Sequence, residues 1–191
     1  MAVIKTKDEL KDVFIGVSEL RFSTKSGAFT ADTTWDYELP ILRDSITFDN
    51  PAPTINNAYV HGKKTAWAST SEPSDMTLTF EIPSIHDDIT GWLYNKAGDV
   101  SNVAEEVDGV AGAWSGQGIS MEAKVIEGMA MIISEDKKHA LLIKNLKGYS
   151  SMNMSSISTT PLSFTVTATL ESGVTTDPDG DVVFLNWKAN V

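Results

Sequence analysis

The chain has 191 residues, 41% of them hydrophobic and 21% charged, and its 15 basic and 26 acidic side chains leave a net charge of 15 − 26 = −11. These totals fit one folded domain over 1–191 and exclude a disordered chain, while no apolar run reaches the ~18 residues that a membrane-spanning helix needs. The absence of cysteine excludes disulfides, thiolate nucleophiles and thiolate metal sites, and no basic cluster exceeds the Lys63–Lys64 and Lys137–Lys138 pairs, too little to grip a phosphate backbone.

The opening MAVIKTKDELKDVFIG mixes acids and lysines where a signal peptide needs an apolar core, so export by that route is not expected. Lys7–Asp12 is expected to form a short helical turn, followed by a strand carrying Val13, Ile15 and Val17 on one face. Residues 23–44 then separate two strands by far more than a hairpin needs. This segment carries Phe29, Trp35, Tyr37, Leu39, Ile41 and Leu42, an apolar load that a solvated loop would not hold. Either it folds back over its own core or it buries itself against another chain. Ile46 and Phe48 resume the alternation, and Tyr59 and Val60 follow a turn-rich stretch with Pro51 and Pro53.

Alternation is strict over Met76, Leu78, Phe80 and Ile82, with Thr77, Thr79 and Glu81 on the other face. After Pro83 the period becomes helical, with Ile85, Ile89, Trp92 and Leu93 on one stripe, which predicts a helix over 84–97. Ser84 with Asp87 reads as a capping box, Asp87 and Asp88 suit the positive helix start, and Gly98 offers a stop. Residues 99–118, small, acidic and Gly-rich, read as a mobile loop. The stretches 119–127, 129–134, 140–147 and 149–155 read as an antiparallel meander punctuated by Gly128, Glu135–Lys138 and Gly148. Leu162, Phe164, Val166, Ala168 and Leu170 form the clearest strand, interleaved with Ser163 and three threonines. Residues 171–191 are a C-terminal extension. The expected fold is mainly β, a sandwich or squashed barrel of antiparallel strands with one flanking helix.

No constellation for catalysis stands out. His61, His86 and His139 are the only histidines, and none has HxH or HExxH spacing, so no metal is expected. Asp177-Pro178-Asp179-Gly180-Asp181 has the look of a calcium loop, yet the twelfth position from Asp177 is Lys188 where a bidentate Glu belongs. A solvated turn is the plainer reading. Nucleophile-elbow, phosphate-loop and dinucleotide motifs are absent. Adjacent acids such as Asp87–Asp88 and Glu105–Glu106 read as solvated charge, leaving open a glycosidase pair assembled from distant acids. An enzyme is not expected, nor a cofactor or catalytic residue. Of the five tryptophans, Trp92 belongs to the helix stripe; Trp35, Trp67, Trp114 and Trp187 plug loops or interfaces, or else stack on sugars.

Taken in order, LPILRDSITFDNPAPTINNAYVHGKKTAW (39–67), TLTFEIP (77–83) and SIHDDITGWLYNKAG (84–98) resemble the major tail tube proteins of long-tailed bacteriophages and related prophages. SFTVTATL (163–170) is similar to that family's closing strand. The resemblance covers about 13–170, as a pattern of strands and turns rather than an identity. It implies a homo-oligomer: six subunits in a ring, with rings stacked into a tube through which DNA passes without specific binding. Such a tube is assembled in the bacterial host cytoplasm, joins other tail proteins, and ends in the virion tail. The net charge agrees with the acidic bore that the resemblance implies. It also implies that residues 23–44 form an arm to the next ring, with Phe29, Trp35, Tyr37, Leu39, Ile41 and Leu42 at the subunit interface. Deleting 25–42 is then expected to leave a folded monomer that no longer assembles. The alternative is a carbohydrate- or protein-binding β-sandwich, or a pilin-like surface protein.

Overall fold

The computed structural model describes residues 12–154, 159, 161–171 and 180–188. Lys7–Lys11 of the expected N-terminal turn and Asp177–Asp179 of the calcium-like loop lie outside them. In chain order the elements are β1 (Glu19–Ser23), β2 (Tyr37–Leu39), β3 (Thr47–Asp49), β4 (Thr54–Ala58), β5 (Ala68–Glu72), β6 (Thr77–Ile82), α1 (Asp87–Leu93), β7 (Asn95–Val107), β8 (Val110–Ser120), β9 (Ile126–Ile133), β10 (His139–Asn153), β11 (Ser163–Leu170) and β12 (Val182–Asn186). Eight strands form one antiparallel sheet in the spatial order β2-β1-β9-β10-β11-β6-β3, with β12 also on β10. The remaining four strands make two separate ribbons, β4–β5 and β7–β8.

Alternation builds the core directly. Ile82, Phe80 and Leu78 of β6 stand opposite Phe164, Val166 and Ala168 of β11. Leu20 and Phe22 of β1 stand opposite Ile132 and Ala130 of β9. These side chains are buried in one cluster with Leu39, Ile143 and Leu146, and each large one contributes about 1.5–3 kcal/mol relative to exposure. The sheet curls around them. The chain leaving edge strand β2 crosses to the opposite margin, where the Leu42 N–H donates to Glu81 O on β6 (2.9 Å), and it then enters β3 on the same edge. The two margins thereby approach each other without a shared ladder, giving a mainly β, squashed-barrel architecture with a single short helix among the described residues.

Several boundaries differ from the sequence reading. The first strand begins at Glu19, and Val13 and Ile15 are exposed. Gly128 and Gly148 do not end strands; they lie inside β9 and β10. A Cβ on Gly128 would meet Ser23 O at 2.0 Å, and one on Gly148 would meet Thr167 O at 2.1 Å. At both places neighbouring backbones pass too closely for any side chain, the other reason for glycine within a strand. The turn expected at Glu135–Lys138 does form: Asp136 Oδ1 accepts from Ser134 Oγ (2.5 Å) and Lys138 N (2.9 Å).

The helix is half as long as expected. It spans Asp87–Leu93, and its N-cap is His86, whose Nδ1 accepts from Asp88 N at 3.3 Å. Ser84 Oγ accepts from His86 N instead of closing a box with Asp87. Beyond Leu93 the chain turns extended, so Gly98 sits inside β7 rather than at a helix stop.

Three carboxylates tie the strand ends and lie below the ordinary carboxylate range. Glu19 is lowered by hydrogen bonds from Lys137 and Arg21, Asp36 by the backbone N–H and hydroxyl of Thr24, and Asp136 by Ser134 and the Lys138 N–H. A folded pKa below the unfolded one contributes stability that is complete above the unfolded value and lost as pH falls through the folded value. The melting temperature is therefore expected to be level above about pH 5 and to fall below about pH 4. Thermal scans from pH 7 to 3 check this, and a midpoint that rises on acidification would contradict it.

Candidate assembly surface

Of the six residues expected at an interface, Leu39 is buried and the other five are half-buried. Leu39 is buried in the core, Tyr37 and Ile41 pack against it, and Phe29 and Trp35 are half-buried with ring centroids 6.3 Å apart. Leu42 is half-buried beside β6. Residues 37–41 thus fold back on the core, with β2 pairing along β1, while most of 24–36 is exposed. Of the two alternatives for this apolar load, part of it, centred on Leu39, is buried within the chain's own core.

Exposed apolar side chains occur on the two ribbons and also elsewhere, among them Val13, Ile15, Tyr149, Phe184 and Trp187. Residues 99–118, expected to be a mobile loop, are two strands of a long hairpin. Val107 pairs with Val110 across Asp108 and Gly109, whose φ angles of 50° and 79° are the left-handed pair that a type I′ turn requires. At ~3.3 Å per residue the 13-residue strand β7 is about 40 Å long. Every residue of β7 is exposed, and β8 becomes half-buried only over its last four positions.

This ribbon has two unlike faces. Registered pairs place Val100, Val103, Glu105 and Val107 with Val110 and Trp114 on one side. Ala104, Glu106, Ala111 and Ala113 occupy the other, with Asp99 and Gln117 further down. An extra residue at Ser101–Asn102, where Asn102 has φ 56°, makes a bulge that adds twist. The Trp114 Nε1–H donates to Glu105 on its own face.

The helix roots the ribbon in the barrel. Trp92 lies between Phe22 (4.8 Å) and Tyr37 (5.0 Å, stacked), and burial against this cluster raises the Tyr37 hydroxyl above its ordinary value. On the ribbon side, Thr90 Oγ1 donates to Gln117 Oε1 (3.2 Å), and Lys124 Nζ donates to Gly91 O (2.7 Å) near the negative end of the helix. A rigid seat thus carries a long, solvated projection.

The second ribbon is shorter. β4 and β5 pair from Thr54↔Glu72 to Ala58↔Ala68, and the Trp67 N–H donates to Ala58 O (2.9 Å) to extend the ladder. Tyr59, Val60 and Trp67 at its far end are exposed, as is Ile55 on its stem. Between them run His61, Gly62, Lys63 and Lys64, all in solvent.

Among the described residues, no three His, Asp or Glu side chains gather into a metal-binding group. Comparison of the chain with protein-family models and with curated proteins finds no match. Fold and surface together define an antiparallel β-barrel protein bearing two unpartnered β-ribbons.

Proposed function

We propose that this chain is a structural subunit that assembles with copies of itself into stacked rings, a phage or prophage tail tube forming a conduit for DNA. The observation that carries this reading is the β7–β8 ribbon, exposed on both faces over most of its length and with a strand ladder that pairs only within itself. Isolated two-stranded ribbons are marginal in water, and unpaired strand edges invite pairing with another chain. Copies arranged around one axis satisfy both demands. All β7 strands then run one way and all β8 strands the other, so the edges of neighbouring hairpins meet antiparallel. Closing the circle removes the edges altogether.

The unlike faces give such a ring an inside and an outside. The Val100, Val103, Val107, Val110 and Trp114 face suits the packed side. The face with Ala104, Glu106, Ala111 and Ala113 suits the bore, where small and acidic side chains leave phosphates nothing to hold. From 95 to 120 the ribbon carries one Lys against four acids, a net 1 − 4 = −3. No catalytic residue, cofactor or metal enters this role. Its partners are further copies and the other proteins of the tail, and its place is the virion, after assembly in the host cytoplasm.

The test is multi-angle light scattering with negative-stain microscopy on concentrated protein. Rings or hollow tubes are the expected result. Trp67 and Trp187, 71% and 74% exposed, favour a second reading as a carbohydrate-binding module. A stable monomer that binds glycans and loses them on Trp67→Ala or Trp187→Ala would replace the tube with that reading.

A further inference from the structure

We infer that the two ribbons clasp between copies by charge: the basic tip of β4–β5 in one subunit docks against the acidic tip of β7–β8 in a second. This rests on the copy-to-copy reading above and names the contact that sets its register. The tip 59–67 reads YVHGKKTAW, with two lysines and no acid, whereas 103–110 reads VAEEVDGV, with three acids and no base. In a chain with eleven more acids than bases, the first is a rare concentration of positive charge, and the second is a dense acidic one.

Both tips are fully in solvent, and Lys63, Lys64, Glu106 and Asp108 have no ion-pair partner among the described residues. Each tip also carries its own apolar frame. Tyr59, Val60 and Trp67 flank the lysines, and Val103, Val107, Val110 and Trp114 flank the acids. Within one chain the ribbons belong to separate sheets, so no ladder brings the tips together.

Other acceptors for these charges fit less well. The groove of about 560 Å³ lined by Phe29, Met131 and Trp187 also holds cations, but Arg21 and Lys137 there are already spent on Glu19 at 2.7 and 2.9 Å, which leaves Lys138 as a single charge. Two of the three acids beside α1 are committed, leaving Asp87 as a single charge. Asp36 accepts two bonds from Thr24 at 2.7 Å, and Asp88 lies 3.5 Å from His86. The two tips are the charge clusters left over, and their signs are opposite.

Exposed ion pairs hold little by themselves; they select the partner, fix register and speed encounter. Holding falls to the strand edges and the Val, Tyr and Trp side chains. Assembly is therefore expected to slow with salt, since charges are screened beyond about 10 Å at 0.1 M.

Charge exchange tests this. Lys63→Glu with Lys64→Glu, or Glu105→Lys with Glu106→Lys, should raise the protein concentration needed for assembly roughly tenfold at low salt. A chain carrying all four changes should return to near the parent value. Unaltered assembly in the reversed chains, or failure of the fourfold chain to recover with a parental melting curve, overturns the clasp while tubes of the parent would still stand.

A second measurement covers a parent that forms no tubes. The chain has no cysteine, so Lys64→Cys and Asp108→Cys chains mixed under mild oxidation report only the engineered contact. A mixed dimer formed faster than either homodimer, and faster than with Thr70→Cys in place of Lys64→Cys, supports the clasp even where the ring reading falls. Equal rates for all pairs overturn it.

Discussion

A chain in which Ser101–Ser115 is replaced by Asn-Gly will fold as the parent does and remain a monomer. The replacement joins Val100 to Gly116, which already face each other across the ribbon, through the two-residue turn that such strands favour. It removes no buried residue, so the melting temperature should move by no more than ~3 °C, the scale of surface changes in a domain of this size. What it removes is the long unpaired edge and the Val103, Val107, Val110 and Trp114 face. Circular dichroism melts and light scattering on the same preparation decide the matter. Loss of cooperative melting would make the ribbon part of the folding core, and tubes formed without it would end the role in assembly proposed for it. Deleting 25–42 now carries the opposite expectation from the sequence reading. That cut takes out β2, strips Leu39 from the core and uncovers Trp92. Losing a buried Leu alone costs about 2–5 kcal/mol against a total stability of about 5–15 kcal/mol, so an unfolded product is expected.

Gly148→Ala should be among the most damaging single methyls in the barrel, alongside Gly128→Ala. The added carbon would sit 2.1 Å from Thr167 O and 2.5 Å from Ala168 Cα, both backbone atoms of the paired strand β11. A side chain could rotate away, but the strand cannot without breaking its ladder. Overpacking of this kind costs about 1–3 kcal/mol, and the rigidity of the obstacle places this case at the upper end. Urea denaturation should show the midpoint falling with the slope unchanged. Gly116→Ala is the control, because its Cβ would meet open space. Equal midpoints for the two variants would mean that β10 and β11 do not pass so closely at this position.

The barrel strands were legible because their sequences carry the period of a half-buried sheet. Phe80 and Val166 announce an inner face wherever alternation is strict. The ribbons were not legible by the same rule, since a strand exposed on both sides has no reason to alternate. Val107-Asp108-Gly109-Val110 was the available signal, an Asp-Gly turn between β-branched residues, and it was outweighed by the glycines and alanines around it. Composition pointed to a loop; a strand that packs on nothing within its own subunit needs no large side chains. Gly128 and Gly148 misled in another way, because a glycine demanded by close backbone approach looks like one demanded by a turn. The apolar residues of 23–44 signalled burial correctly. Only the three-dimensional fold could say that Leu39 is buried in its own core.

The barrel also stores a weakness at its last strand. β12 lies on the same edge of β10 as β11, end to end with it, and is held by the pairs from His139↔Asn186 to Ile143↔Val182 and by bonds such as Trp187 N to Lys138 O (2.7 Å). Its other edge is free among the described residues, and Phe184 is exposed. Local opening there breaks one ladder and leaves the circuit from β2 to β3 intact, so β12 is a low-cost unfolding unit within a more stable body. Once it lifts, the vacated backbone of His139–Ile143 becomes a template for any foreign strand. β12 is thus a shutter over one more edge that would otherwise recruit foreign strands, closed for as long as its short ladder to β10 holds.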